Sequence, residues 1–293
     1  MAKDKKLRVS GHKVILNRSA GGDFGIFFML AILGIFMFIP MFYVICQSFK
    51  PLDEIFMFPP RLYVIRPTLD NYSDLFALMN ESWVPFTRYI FNTVFVSLTG
   101  TFGNLIVSAL AAYALAKIKF PGRKFFFQLI VYSLMFHETV TAIANFLTMS
   151  TLGLIDTLWA RIVPALATSL GLYLMKQFME SNVSDEILES ARLDGCSEFR
   201  TFLLIAMPMV RPASLTLIIE TFKGLWNAGS SIYIHSEQLK SFNYAIGQIT
   251  AGGIARSGAG AAATVIMMMV PIIVFIICQS NIIETMGSSG MKD

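Results

Sequence analysis

Long apolar runs separated by short polar intervals make up most of this chain. Several of the runs reach the length of about 20 residues that a helix needs to cross a lipid bilayer. We predict six such spans, at about residues 24–46, 89–116, 125–147, 158–179, 207–227 and 261–281. The pattern therefore predicts an all-α integral membrane protein with a six-span domain over 24–281, a basic tail at 1–23 and a second tail at 282–293. The intervals at 47–87 and 228–260 are predicted to be polar loops.

The longest charged interval inside the apolar part of the chain is 184–212, and its pattern predicts two short helices joined at a glycine. Ser184 and Ser197 are predicted to cap the two helices, and Gly195 suits the left-handed conformation that ends a helix. One face of the first helix would carry an apolar stripe of Ile187, Leu188 and Ala191. The pattern predicts a hairpin at the membrane surface that offers an apolar face to a partner, and a plain connector between two spans is the alternative.

Composition and charge support a membrane protein. Of the 293 residues, 55% are hydrophobic and 14% are charged, whereas soluble proteins carry about 25% charged residues. The net charge is only +4, and the lysines and arginines gather at span ends, so no nucleic-acid partner is predicted. Most of these cations share a side with the basic tail, which predicts an N-in, C-in topology. The three cysteines, Cys46, Cys196 and Cys278, are predicted to be free thiols.

Polar residues inside the predicted spans are the candidate pathway residues, because a charge in lipid costs on the order of 3 kcal/mol and therefore faces protein or water. The candidates are His137, Glu138, Glu220, Lys223, Trp226 and Asn227. Glu220 and Lys223 lie three residues apart and can pair on one helix face. Trp226 with either of them would offer an aromatic face and polar groups to a carbohydrate. For Glu220 and Lys223, the alternative is a structural pair that only holds the bundle together. For His137 and Glu138, the alternative is likewise a buried pair between helices.

A spaced set of residues in the hairpin resembles the EAA signature of ABC importer permeases: Glu189-Ser190-Ala191, Gly195, Ile205 and Pro208. Ser190 and Met207 stand where that signature has Ala and Leu. Shorter segments between about residues 70 and 293 are similar to carbohydrate-importer permeases, most of all to the maltose-type second permease subunit. These segments include Asn71-Tyr72, 91–93, 111–116, 120–124, 153–157 and Trp226-Asn227.

The resemblance implies the type I ABC importer permease fold, with a core match over about 70–281, in a bacterial inner membrane. It implies a sister permease, an ATPase dimer that holds ATP and Mg, an extracellular solute-binding protein, and a sugar or oligosaccharide as cargo. By the same resemblance, the ATPase coupling residues are Glu189, Ala191, Asp194, Gly195, Ile205 and Pro208. A C-terminal ATPase contact is implied at Gly287, Gly290 and Lys292. Because this chain has no G-x-x-x-x-G-K-[ST] segment, it is predicted to bind no cofactor itself.

Departures from the family pattern leave the solute open. The family usually has prolines where this chain has His137 and Ala144, and apolar residues where it has Glu220 and Lys223. An intramembrane enzyme that uses His137 and Glu138 is one alternative function, although no G-x-S-x-G segment occurs. A zinc protease would need a second histidine at position 141, which is Thr, so no metal site is predicted. A scaffold or channel without energy coupling is another alternative, which copurification of an ATPase would distinguish.

Overall fold

The computed structural model describes residues 20–80 and 83–289, except the side chains of residues 20, 138, 254 and 280–289. This part of the chain contains helices and connecting segments and no strand. The α-helices are α1 Ala20–Phe49, α2 Leu52–Ile55, α3 Asp70–Asn80, α4 Phe86–Lys117, α5 Arg123–Ser133, α6 Glu138–Thr151, α7 Trp159–Leu166, α8 Ser169–Asn182, α9 Asp185–Leu193, α10 Glu198–Thr201, α11 Met207–Met209, α12 Arg211–Trp226, α13 Phe242–Ala251 and α14 Ser257–Ser289. A π-helical turn occupies Phe202–Ala206, and 3₁₀ turns occupy Glu237–Leu239 and Ile254–Arg256.

Four helical stretches among the described residues are long and apolar enough to cross a membrane: Gly21–Phe49, Phe86–Lys117, Trp159–Asn182 and Ser257–Gln279. They correspond to the first, second, fourth and sixth predicted spans. A fifth candidate is a pair, Glu198–Met209 and Arg211–Trp226, which is bent by 81°. The prolines explain the bend, because Pro208 and Pro212 have no amide hydrogen to donate to the preceding turn. The fifth predicted span, 207–227, is therefore wrong at its start, and its straight part begins at Arg211.

The third predicted span, 125–147, is not one continuous helix. It is divided into α5 and α6, because the chain leaves the helical path at residues 134–137. The polar sequence supplies a new helix start there: His137 is the N-cap of α6, and its Nδ1 accepts a hydrogen bond of 3.3 Å from the Thr139 amide. A side-chain acceptor of this kind satisfies an amide that has no partner within the helix.

Both intervals predicted as loops contain helices. Helix α3 lies in 47–87 and buries Leu75 and Met79. Helix α13 lies in 228–260 and buries Phe242, Ile246 and Ile249, a spacing of four and three residues that places them on one face. Helix α14 continues beyond the sixth predicted span to Ser289, into the predicted C-terminal tail. The first 19 residues, Gly290 and Lys292 lie outside the described residues.

Helix α4 is the central element and packs against α7, α8 and α12. Close approach depends on Gly103, where an added Cβ would collide with the Leu166 side chain. The buried Asn104 bonds across the same contact, donating to the Ala165 carbonyl at 2.6 Å and the Thr168 hydroxyl at 2.9 Å. Paired polar groups of this kind fix the relative position of helices, because an unpaired buried amide costs about 1–3 kcal/mol.

Two apolar clusters divide the core. One joins α3, the start of α4, the end of α12, α13 and α14, and the other joins the end of α4, α8, α9 and the start of α12. Helices α4 and α12 take part in both clusters, so they connect the two ends of the bundle. The three cysteines are free, as predicted.

Candidate functional site

The first candidate site is the hairpin that begins at Ser184. The Ser184 hydroxyl accepts a hydrogen bond of 3.4 Å from the Ile187 amide, which confirms its role as N-cap. Lys117 at the end of α4 lies 2.8 Å from Asp185, and this hydrogen bond and the charge lower the pKa of the Asp185 carboxyl. Ser197 occupies the N-cap position of α10, but its side chain makes no capping hydrogen bond. The first helix of the hairpin is thus fastened to the bundle at its first turn.

The glycine turn forms as predicted. Gly195 has φ +81°, and its amide donates to the Arg192 carbonyl at 3.0 Å while the Cys196 amide donates to the Ala191 carbonyl at 3.0 Å. These two bonds satisfy carbonyls at the helix end, as in a Schellman motif. An added Cβ at Gly195 would meet nothing within 4 Å. The constraint at this position is therefore backbone conformation and not space.

An ion pair joins the two arms of the hairpin. Arg192 lies 2.6 Å from Glu198, and the Tyr113 hydroxyl of α4 donates to the same carboxylate at 3.0 Å. Arg192 therefore does not pair with Glu189, three residues before it, although the spacing allowed it. The Glu189 carboxylate is exposed, and it stays a candidate contact for a partner.

Part of the predicted apolar stripe is buried against the bundle, and part of it is exposed. Leu188 is only 1% exposed and packs into the cluster of α4, α8 and α12, and Ala191 is also buried. Only Ile187 of the predicted stripe remains exposed. The structure shows other exposed apolar side chains that the sequence analysis missed, and we call them the hairpin tip: Leu193, Phe199, Leu203 and Leu204. Ile205 and Pro208 lie in or just after the π-helical turn, where Pro208 has no amide to donate.

The second candidate site is the polar side of α12. Thr216, Glu220, Lys223 and Asn227 recur at intervals of four, three and four residues, and all four are exposed. Glu220 and Lys223 form the predicted pair, with Oε1 and Nζ 3.0 Å apart. The opposite side of the helix is buried through Ser214 and Phe222. We call the exposed set the α12 stripe.

Trp226 does not belong to the α12 stripe. Its side chain is 6% exposed, its Nε1 donates to the Met267 carbonyl at 3.0 Å, and its ring stacks on Phe222. The ring and its Nε1 donor both make contacts within the core. The prediction of an exposed aromatic face beside Glu220 is therefore wrong in this conformation.

Helix α6 carries a similar row of polar residues. His137, Thr141, Asn145 and Thr148 recur at intervals of four, four and three residues, and all but the half-buried Thr141 are exposed. The Thr148 hydroxyl donates to the Ala144 carbonyl at 2.8 Å, within its own helix. The sequence analysis named only His137 and Glu138 here, although the helical spacing of Asn145 and Thr148 was a readable signal. The described residues include no group of three or more His, Cys, Asp or Glu side chains that could hold a metal ion.

The end of α12 is fixed by side chains from other elements. Arg161 of α7 donates to the carbonyls of Ala228 and Gly229, and the Ser241 hydroxyl donates to Ala228 at 2.8 Å. The Asn243 amide donates to the Asn227 carbonyl. The carbonyls of the three residues that follow α12 are thus each supplied with a side-chain donor. The sequence analysis missed this arrangement because its members are far apart along the chain.

Asp156 holds a neighbouring loop. It is the one non-glycine residue with positive φ among the described residues, and its carboxylate accepts hydrogen bonds from the His235 amide at 2.9 Å and the Ser236 amide at 2.8 Å. The Ser236 hydroxyl also donates to it. The bonds from Ser236, followed by that from His235, lower the pKa of the carboxyl.

No family model matches this chain. Protein LplC of Bacillus subtilis (strain 168) is 30% identical over 213 residues, which cover 72% of this chain and 70% of LplC. The galactooligosaccharides transport system permease protein GanQ of the same organism is 24% identical over 271 residues, which cover 91% and 94%. A chain in the crystal structure of a bacterial ABC transporter involved in the import of the acidic polysaccharide alginate has the same fold, with a TM-score of 0.75 and 22% identity over 90% of this chain and 98% of that one.

Proposed function

This chain belongs to the family of carbohydrate ABC transporter permeases, and from this membership we propose that it forms one half of the translocation pathway of an ATP-driven importer. The chain is a membrane-embedded transporter subunit rather than an enzyme. Its proposed assembly contains a sister permease, an ATPase dimer that binds ATP and Mg, and an extracellular solute-binding protein. The proposed location is a bacterial inner membrane, and the proposed cargo is a sugar or oligosaccharide.

The hairpin is the observation that carries the proposal. Its turn is set by Gly195, its arms are joined by Arg192 and Glu198, and its first helix is seated on α4 and α8. A preformed element with an exposed apolar tip suits a partner that transmits force, because a stiff element moves as one body. Ala191 and Ile205 would position the hairpin from within, while Glu189 and Asp194 would contact the ATPase. Gly287, Gly290 and Lys292 are proposed as a second contact.

We propose that the chain crosses the membrane six times with both ends in the cytoplasm. The cation distribution supports this orientation, and the break between α5 and α6 makes the third crossing a discontinuous one. Interrupted helices are tolerated at membrane depth where they adjoin protein or line a water-filled cavity. The hairpin then lies in the cytoplasm, and the segment at 228–256 lies outside.

The α12 stripe and the polar residues of α6 are proposed as the pathway surface of this chain. The exposed charges of Glu220 and Lys223 would be costly in lipid, which favours water or the sister permease beside them. Hydroxyl, amide and carboxylate groups in a row can exchange hydrogen bonds with sugar hydroxyls as a solute passes. Asn227 ends this row on α12, and His137 begins the row on α6.

Purification of the native complex through a tag on this chain tests the proposal. We expect an ATPase to copurify and its hydrolysis rate to rise when a sugar-loaded binding protein is added. Replacing Leu193 and Leu204 together with Asp should remove the ATPase from the complex while the permease still inserts, because the hairpin tip would lose its apolar contacts. Leu69→Asp is the matched control, since Leu69 is 67% exposed and Leu204 is 71% exposed. A complex without any ATPase, or a double variant with a normal amount of it, would contradict the proposal.

A further inference from the structure

A cavity of about 420 Å³ lies where the end of α3 and the start of α4 meet α13. No role assigned above uses it, and it is separate from the α12 stripe. Its floor is apolar and includes Met79, Phe86 and Ile249, while its rim carries polar side chains. Small-molecule sites typically have volumes of about 300–1,000 Å³ and combine apolar walls with a few placed polar groups. The cavity has both properties.

The acceptor on the rim is Glu237, and its position is fixed. The Tyr89 hydroxyl donates to one carboxylate oxygen at 2.9 Å, and Lys240 Nζ lies 2.7 Å from the other. Each carboxylate oxygen can accept more than one hydrogen bond, so capacity for a ligand hydroxyl remains. A carboxylate held by two donors is preorganised, because it need not reorient when a ligand arrives.

Two further side chains complete the rim. Gln248 on α13 offers both a donor and an acceptor. Arg256 is seated against the turn at Gly252, where an added Cβ would come within 2.6 Å of the arginine Cδ. Arg256 has no carboxylate partner among the described residues, and its guanidinium can donate hydrogen bonds to a ligand. Gly252 thus makes room for the arginine stem at the cavity.

Trp83 supplies an exposed aromatic surface at the same opening. Its side chain is 93% exposed, and no ring contact to it is found among the described residues, whereas Phe86 beside it packs edge-on against Phe242. An exposed indole is stabilised when another apolar surface covers it. Sugars have apolar C–H faces as well as hydroxyls, so an indole next to donors and acceptors matches their chemistry.

We propose that this cavity is a carbohydrate-binding subsite on the outer face of the permease, which holds one neutral sugar unit of the arriving oligosaccharide. Trp83 stacks on the sugar face, Glu237 accepts from its hydroxyls, and Gln248 and Arg256 donate to them. The inference rests on the proposed function for the nature of the cargo. The Trp83 ring beside Glu237 and Gln248 favours a sugar over an anionic lipid headgroup, because a sugar offers both an apolar face and hydroxyls.

Saturation-transfer NMR on the purified complex in phosphatidylcholine nanodiscs, without the solute-binding protein, tests the proposal. Galactotriose and arabinotriose are the probes, each at millimolar concentration. We expect signal from at least one of them, and a loss of affinity of about tenfold in Trp83→Ala and in Gln248→Ala, because each removes a direct contact. Trp159→Ala is the control, since Trp159 is also an exposed tryptophan but lies outside the cavity; it should bind like the unchanged protein.

Three results would overturn the inference: no signal from either trisaccharide, equal binding by the cavity variants and the unchanged protein, or loss of the signal when phosphatidylglycerol is added to the nanodiscs. The last result would identify an anionic lipid as the occupant. Stimulation of ATP hydrolysis by a sugar-loaded binding protein, measured on the same samples, separates this inference from the proposed function. If ATP hydrolysis is stimulated normally but no trisaccharide signal appears, only the proposed subsite is contradicted. If ATP hydrolysis is not stimulated, the proposed importer function is contradicted.

Discussion

The two ends of the bundle are held by different interactions. At the hairpin end, charged side chains pair with one another: Lys117 with Asp185, Lys176 with Glu180, and Arg192 with Glu198. At the other end, ion pairs join Glu237 to Lys240 and Asp53 to Arg66, and in addition several side chains bond to backbone carbonyls. There Asn92 donates to Gln238 and Lys240, Asn71 donates to Ser48 and Lys50, and Arg161 donates to Ala228 and Gly229.

This difference indicates different mechanical roles. The Arg192–Glu198 pair is exposed on both sides, and exposed pairs contribute only about 0.2–1 kcal/mol and weaken with salt, so the two arms of the hairpin are joined without being locked in place. Buried side-chain bonds to carbonyls are costly to break, because each carbonyl left unpaired costs about 1–3 kcal/mol. The hairpin end is therefore suited to moving when a partner binds. The other end, which we call the fixed rim, is suited to keeping its position.

We predict that the two ends of the bundle lie on opposite sides of the membrane. Labelling from one side tests this with an all-or-none outcome. Ile232→Cys should react with a membrane-impermeant maleimide added outside intact cells. Cys196 beside Gly195 is only partly buried, so it serves as the native reporter of the hairpin and should react only after the membrane is opened. Reaction of Ile232→Cys from the cytoplasmic side alone would contradict the topology.

The largest stability effect is expected at the rim. Asn92 is buried, and its amide donates at 2.8 Å and 3.0 Å to the carbonyls of Gln238 and Lys240. Asn92→Leu leaves both carbonyls without this donor, so we expect a loss of about 2–4 kcal/mol, read as a lower melting temperature in detergent. Asn182→Leu, at an exposed asparagine of α8, is the control. Equal melting temperatures in the two variants would contradict a fixed rim.

A smaller effect is expected at the hairpin turn. Gly195→Val places a β-branched residue at φ +81°, which costs about 1–2 kcal/mol. We expect membrane insertion to persist while uptake and coupled ATP hydrolysis fall. Gly195→Asn is the control, since asparagine adopts positive φ more readily. If the valine variant transports as well as the asparagine variant, Gly195 does not set the turn.

Helix α12 connects the two ends. Exchanging the two residues of its charge pair distinguishes a structural role of the pair from a role in the pathway. The double variant Glu220→Lys, Lys223→Glu keeps an ion pair but exchanges the positions of its hydrogen-bonding groups. We expect normal assembly with a several-fold change in uptake of some solutes relative to others. Unchanged uptake kinetics across several solutes would remove both residues from the pathway.

The smallest effect concerns two aspartates, one at each end. The pKa values of Asp185 and Asp156 are both lowered. A lowered folded-state pKa contributes stability above the unfolded value of about 3.9, and this contribution is lost as the pH falls through the folded-state pKa. Titration by NMR with carboxyl-labelled aspartate should show salt raising the pKa of Asp185, whose main partner is Lys117. The pKa of Asp156 should change less, because Ser236 and His235 bind it through neutral groups. Equal changes of the two pKa values with salt would contradict the distinction between the two ends of the bundle.

The features that depend on neighbours along the chain could be predicted from the amino-acid pattern alone. Apolar runs of sufficient length determined four helical stretches that are long enough to cross a membrane, and a serine cap with a glycine at positive φ determined the turn and the first helix of the hairpin. The pairing of Glu220 with Lys223 also followed from spacing alone. These features are local, since one or two helical turns contain all the atoms concerned.

Only the tertiary structure decided which side of each element is covered. It turned Leu188 and Ala191 inward and left Leu193 and Leu204 exposed, and it placed Trp226 in the core, where its indole binds the Met267 carbonyl. It also converted parts of two polar intervals into the packed helices α3 and α13. Burial depends on residues that are distant in sequence, so hydrophobic pattern alone identifies an apolar face but not the surface that covers it.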